Sequence, residues 1–181
     1  MVYRGEMGLF SRVMQLLVPQ RPDAASSQIP HIVAPGGGAG SGTGEIVEVA
    51  APGAGMLNLV YSAQPDGRPD AGEVVWGWVP YQEDPHQGKD RPLLILAPVS
   101  GDRVYAMKLT SRQPADGSDH ILLGSGPWDH AGRPSWLDVD QVYLVPRRGV
   151  RREGAAVSPE VFDRVAEQLA ARFGWSVSDV G

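Results

Sequence analysis

Two short stretches of this 181-residue chain hold side chains suited to chemistry on a phosphate. The first is Gly88-Lys89-Asp90-Arg91-Pro92, where a glycine-containing loop delivers an arginine to the opening of an apolar run. A guanidinium stays charged at any working pH, and its planar fork of donors matches the oxygens of a phosphate. The second is Leu109-Thr110-Ser111, which places two hydroxyls at the end of the next apolar run. Ser100-Gly101-Asp102 lies between them and reads as a hairpin turn. If the runs pair as antiparallel strands, Arg91, nine residues before the turn, lands near Thr110, eight residues after it. A fixed cation and a hydroxyl then meet at one open end of a sheet, an arrangement that can stabilise charge developing on a phosphodiester. The same pairing is also what an ordinary strand-edge contact produces.

Other reactive side chains form weaker patterns. His86 stands in the loop before Arg91, and imidazole is the side chain best suited to proton transfer near neutral pH. A loop histidine is equally an ordinary surface residue. His120 and His130 each follow an aspartate and are ten residues apart, which is no metal-ligand spacing, so neither a metal nor another cofactor is expected. The chain has no cysteine, which excludes disulfides, thiolate metal sites and a cysteine nucleophile. Gly124-Ser125-Gly126 lacks the strand–turn–helix setting of a nucleotide loop and reads as a turn. Ser111 and Ser135 have no partners that would make a catalytic triad. Trp78, Trp128 and Trp136 are able to stack on a base or to fill a core.

The elements that must position these residues begin at Gly72. Glu73–Val79 is β-branched and aromatic, a strand stopped by Pro80. Arg91–Ala97 is a nearly continuous apolar strand, and Pro92 marks an edge or a strand beginning. Arg103–Thr110, His120–Leu123, Ser135–Asp138 and Gln141–Val145 supply further strands. A glycine-rich loop, 124–134, holds Trp128. Short strands separated by turn signals describe a small antiparallel barrel or sandwich. A helix over 158–173 closes the chain. Ser158 is its N-cap, Pro159 its first residue and Gly174 its C-cap, and Val161, Val165, Leu169 and Phe173 form its apolar stripe.

Before Gly72 the texture differs. Leu9, Val13, Leu16 and Leu17 share one face of a short helix within residues 1–18, either a docking helix or a frayed terminus. Residues 19–71 read as a linker, because glycine and proline dominate and ordering such backbone has little burial to offset it. Within it, Ile46–Val49 and Met56–Tyr61 are apolar islands that fit either an added edge strand or weakly structured linker. The folded domain is placed at 72–175.

Formal net charge is −5, and residues 72–146 alone carry six basic and ten acidic groups. A protein that holds nucleic acid by bulk charge is usually basic over its binding face. The basic cluster Arg147, Arg148, Arg151 and Arg152 reads as a phosphate-facing patch or a solvated connector. No apolar run reaches the roughly 20 residues of a membrane span, and the N-terminus lacks signal-peptide features. A cytoplasmic protein without a membrane partner is therefore expected.

The order Gly72-Glu73-Val74-Val75-Trp76, Gly88–Leu96, Lys108-Leu109-Thr110-Ser111 and Leu137–Val142 resembles the PemK/MazF family of toxin–antitoxin toxins over residues 72–146. The Gly124–Asp129 loop resembles actinobacterial members. The resemblance implies an SH3-like antiparallel barrel with added helices, a homodimer, and a sequence-specific endoribonuclease. Such an enzyme would cut single-stranded RNA without a metal and be neutralised by a cognate antitoxin protein. It also implies Arg91 and Thr110 as the catalytic pair at the scissile phosphate. His86, Lys89, Ser111, Asp140 and Trp128 are further catalytic or RNA-binding candidates. Two residues before Asp140, where certain members carry arginine, this chain has Asp138. That departure and the acidic barrel motivate an alternative, a non-catalytic protein- or nucleic-acid-binding module on the same fold.

Overall fold

The computed structural model describes residues 44–66, 68–84, 86–99, 101–114 and 119–178. The expected helix within 1–18 and the linker up to residue 43 lie outside them. In chain order the elements are β1 (Val47–Val49), β2 (Asn58–Leu59), β3 (Glu73–Pro80), β4 (Gly88–Pro98), β5 (Arg103–Thr110), β6 (His120–Gly124), β7 (Ser135–Asp138), β8 (Val142–Pro146), β9 (Arg151–Ala156), α1 (Pro159–Phe173) and β10 (Ser176–Val177). The main sheet is antiparallel and runs β1-β8-β5-β4-β3-β9, with β7 joining β5 to β6. The expected class, mainly β with a C-terminal helix, is the observed one.

The strand ladder does not close into a barrel; β1 and β9 remain as edges. The sheet instead curls. Ile46, just ahead of β1, packs over Gly77 of β3 so closely that a Cβ there would displace its terminal methyl. The curl encloses one apolar layer of Ile46, Val75, Val79, Leu93, Ile95, Tyr143 and their neighbours. The opposite face carries Val74, Leu94, Leu96 and Met107 and packs with Phe162, Val165 and Leu169 of α1. β4 thus lies between two layers, which is why Leu93–Ala97 is apolar without alternation. At the β9 edge, paired residues skip from Arg152 to Ala155, and Gly154 takes φ 68° in the resulting bulge, interrupting that edge.

The helix has the caps its sequence announces. The Ser158 hydroxyl accepts from the Val161 N–H, and Gly174, at φ 70°, donates its N–H to the Ala170 carbonyl. Ser158 also holds the Glu160 carboxyl below the usual carboxylate range.

The described part of the assigned linker is folded onto this body, which corrects the domain boundary at 72. β1 pairs with β8 and β2 pairs in parallel with β10. Ile46, Leu57, Leu59 and Ala71 are buried. Gly55 donates to the Gly174 carbonyl at 2.8 Å, Trp175 to that of Pro52 at 2.9 Å, and the Tyr61 hydroxyl to that of Val157 at 3.1 Å. Each apolar island gains enough burial against an available edge to offset the ordering of its glycine-rich neighbours. None of the described helices is long and apolar enough to cross a membrane.

Candidate phosphate-binding site

Pro92 decides where the sheet opens. From Leu93 onward β4 pairs with β5, beginning at Leu93–Lys108, whereas residues 88–92 pair only with β3. Pro92 has no N–H to give a second neighbour. It lies inside β4, at the point where one partner leaves rather than at the strand's beginning. Beyond Lys108, β5 instead pairs its Leu109 and Thr110 with Leu137 and Trp136 of β7. The split leaves a cavity of about 640 Å3 between the start of β4 and the end of β5. Trp76 of β3 and the loop from Ser125 to Arg133 contribute further walls.

Arg91 and Thr110 both line this cavity, as do Lys89, Ser111 and Trp128. Continuing the Leu93–Lys108 register by two residues sets Arg91 opposite Thr110, although the strands have already parted there. Arg91 is half-buried. The Thr110 hydroxyl oxygen accepts from the backbone N–H of Arg112 at 3.1 Å, and its own hydrogen has no acceptor among the described residues. Lys89 and Ser111 are exposed. Trp128 is buried in the wall; Gly126 crosses its ring without room for a Cβ, and its Nε1–H donates to the Ser135 hydroxyl at 3.1 Å.

Other candidates lie elsewhere. His86 sits in the exposed β3–β4 turn, its backbone N–H bonded to the Asp84 carboxylate at 3.0 Å, and it does not line the cavity. Asp140 is exposed and paired with Arg172 at 2.7 Å, also outside the lining. Asp138 is neutralised by Lys108 at 3.2 Å, and Lys108 also donates to Gln141. Trp78 is half-exposed on β3, away from the cavity, and Trp136 lies partly buried on β7.

The charges around the cavity are unevenly committed. Lys89, Arg91 and Arg112 have no side-chain hydrogen bond or ion pair among the described residues, and all three line it. Apart from the exposed Arg68, every other described arginine and lysine is bound to a carboxylate or a carbonyl. In particular Arg147 pairs with Asp70, Arg148 with Asp102, Arg151 with Asp90 and Glu153, and Arg152 with Glu73. The basic run is therefore neither a free phosphate patch nor a merely solvated connector. Among the described residues, the unspent positive charge thus lies mainly in one place.

The loop is braced by its own groups. Ser125 donates its hydroxyl to the Gly132 carbonyl at 2.8 Å, and the Asp129 carboxylate accepts from the Ala131 N–H at 2.8 Å and from Arg133 at 3.0 Å. Burial works to raise the Asp129 carboxyl, but these donors outweigh it and hold the group below its ordinary value. Inside the sheet, burial, followed by Glu48 and Asp138, pushes the Tyr143 phenol far above its usual value, while the Arg91 charge pulls the other way.

Sequence reasoning missed Trp76, Arg112, His130 and Arg133 in the lining. Trp76 lies under the Arg151 guanidinium, 5.4 Å from the ring centroid, and its Nε1 is buried with no partner among the described residues. Arg112 was legible as the residue two after Thr110; the loop residues had no local signal that aimed them here.

Residues 70–173 match the family model described as PemK-like, MazF-like toxin of type II toxin-antitoxin system. Among solved structures, MazF (Form-I) from Deinococcus radiodurans is similar, at 25% identity over 59% of this chain and 97% of that one, with a TM-score of 0.45. MazE-MazF (Form-II) from the same organism is similar at 24% identity, over 59% of this chain and 96% of that one, also at 0.45. No curated protein matches the chain.

Proposed function

Because the chain belongs to the PemK-like, MazF-like toxin family of type II toxin–antitoxin systems, we propose that it is an endoribonuclease that cleaves single-stranded RNA without a metal and is restrained by an antitoxin protein. The observation that carries this reading is that Arg91, whose side chain has no ion pair or hydrogen bond among the described residues, and the Thr110 hydroxyl line one open cavity. In the reaction, the ribose 2′-hydroxyl loses its proton and attacks the adjacent phosphorus, while the bond to the 5′-oxygen breaks and that oxygen takes up a proton. The products are a 2′,3′-cyclic phosphate and a 5′-hydroxyl. Negative charge grows on the non-bridging oxygens, and Arg91 stabilises it with a charge already in position. Thr110 donates to a phosphate oxygen and fixes its orientation. A homodimer working in the cytoplasm completes the reading.

The test is cleavage of a mixed-sequence single-stranded RNA in the presence of a chelator. Wild type is expected to cut at defined short sequences, and Arg91→Ala to lose cutting while retaining its fold. Equal behaviour of the two proteins would reject the assignment and favour the non-catalytic binding module.

A further inference from the structure

The cavity walls differ in how their charges are committed. From that difference we infer a division of labour, in which the RNA backbone runs along Lys89, Arg91 and Arg112 and a nucleobase is read by His130. This rests on the nuclease reading above and adds the substrate's orientation to it.

On the wall made by β4 and β5, three cations have no partner among the described residues, and the one carboxylate between them, Asp90, is held by Arg151 at 2.9 Å. A phosphate reaching these cations has no ion pair among the described residues to break. On the loop wall, Asp129 and Arg133 are bound to each other, and the Ser125 hydroxyl and Ala131 N–H are also used within the loop. That wall offers a phosphate no free cation other than a protonated imidazole. What it presents is the His130 side chain, 89% exposed on the braced loop. A neutral imidazole has one donor and one acceptor on a flat ring, the equipment for reading a base edge or stacking on its face. The charged groups facing it are Glu153 of β9 at 3.8 Å, which Arg151 also holds, and Asp129 and Arg133 of its own loop.

The two walls therefore predict different measurements. The binding probe is a single-stranded oligoribonucleotide carrying 2′-O-methyl groups, which lacks the attacking hydroxyl. Full-length protein is titrated with it between about 50 and 300 mM salt, where three phosphate contacts give a log–log slope of about −2. Lys89→Gln and Arg112→Gln are each expected to make the slope shallower by about 0.7 for every probe sequence. His130→Ala is expected to leave the slope alone and to change which sequences are cut in a mixed-sequence RNA. The inference is overturned if both cation variants keep the wild-type slope, or if His130→Ala keeps the wild-type cleavage preference. A wild-type protein that neither binds the probe nor cuts the RNA defeats the nuclease reading itself, and this inference falls with it.

Discussion

Two groups of positive charge in this molecule look alike in number and behave oppositely. Arg147, Arg148, Arg151 and Arg152 are crowded into six residues, and each is tied to a carboxylate. Lys89, Arg91 and Arg112 are spread over 24 residues of sequence, come together at one cavity, and have no partner among the described residues. Clustering in sequence marks where charge is dense; availability depends on what folds against it. In the dense group Arg147, Arg151 and Arg152 tie β9 and the turn before it to β4, β3 and the segment preceding β3. The scattered group lines the cavity without such a partner among the described residues.

The sharpest way to break this contrast is to remove one member of each group. Arg91→Ala is expected to lower RNA cleavage by about 100- to 1000-fold, the usual effect of deleting a fixed stabiliser of transition-state charge, with little change in the urea midpoint. Arg152→Ala is expected to do the reverse. Its partner Glu73 has a side chain only 9% exposed, while Arg152 is 24% exposed. After discounting for that solvent access, the stranded carboxylate should cost about 2 kcal/mol in urea unfolding, with cleavage per folded molecule unchanged.

A smaller effect concerns the loop. The Asp129 carboxyl is held below its ordinary value, so its contribution is present above the unfolded value, about 3.9, and is lost as pH falls through the lower folded value. Amide exchange protection across residues 125–133 should therefore persist at pH 5 and fall only in stronger acid. Asp129→Asn should remove that acid-dependent step. The smallest effect is expected at Arg148, whose side chain is 92% exposed and lies 3.5 Å from an Asp102 that is itself 57% exposed. Arg148→Ala should shift stability by under about 0.5 kcal/mol and leave RNA affinity unaltered, despite removing a positive charge from the basic run.

Legibility in the sequence followed the range of the forces involved. The strands at 73–80, 103–110 and 135–138 and the capped helix at 159–173 are readable because alternation, apolar runs, Ser158, Pro159 and Gly174 act within a few residues of where they are written. Counting from the hairpin turn brings Arg91 to the end of β5, but it does not show the one-residue register shift between Ile95 and Ala97 that sets Arg91 in line with Thr110 rather than Ser111. β1, β2, β9 and β10 were harder. Val47–Val49 and Asn58–Leu59 are short and surrounded by glycine and proline, and they become strands because β8 and β10 offer them an edge. Arg151–Ala156 reads as a charged connector until β3 supplies carboxylate and backbone partners. His86 fits the surface reading. It precedes Arg91 by five residues, yet it stands in the exposed β3–β4 turn and is not among the residues lining the cavity.

The sequence by itself determined the class of the fold, the hairpin that sends a guanidinium and two hydroxyls to the same end, and the family motifs in which they stand. Each of these depends on local backbone preference or on counting along one chain. Tertiary structure alone decided that Pro92 marks a split in the sheet, that the loop from Ser125 to Arg133 walls the opening, and that the positive charges there stay unspent while those of the dense run are neutralised. These outcomes depend on which distant segments become neighbours, because an ion pair or a cavity wall is set by distance in space, and a list of residues holds only distance along the chain.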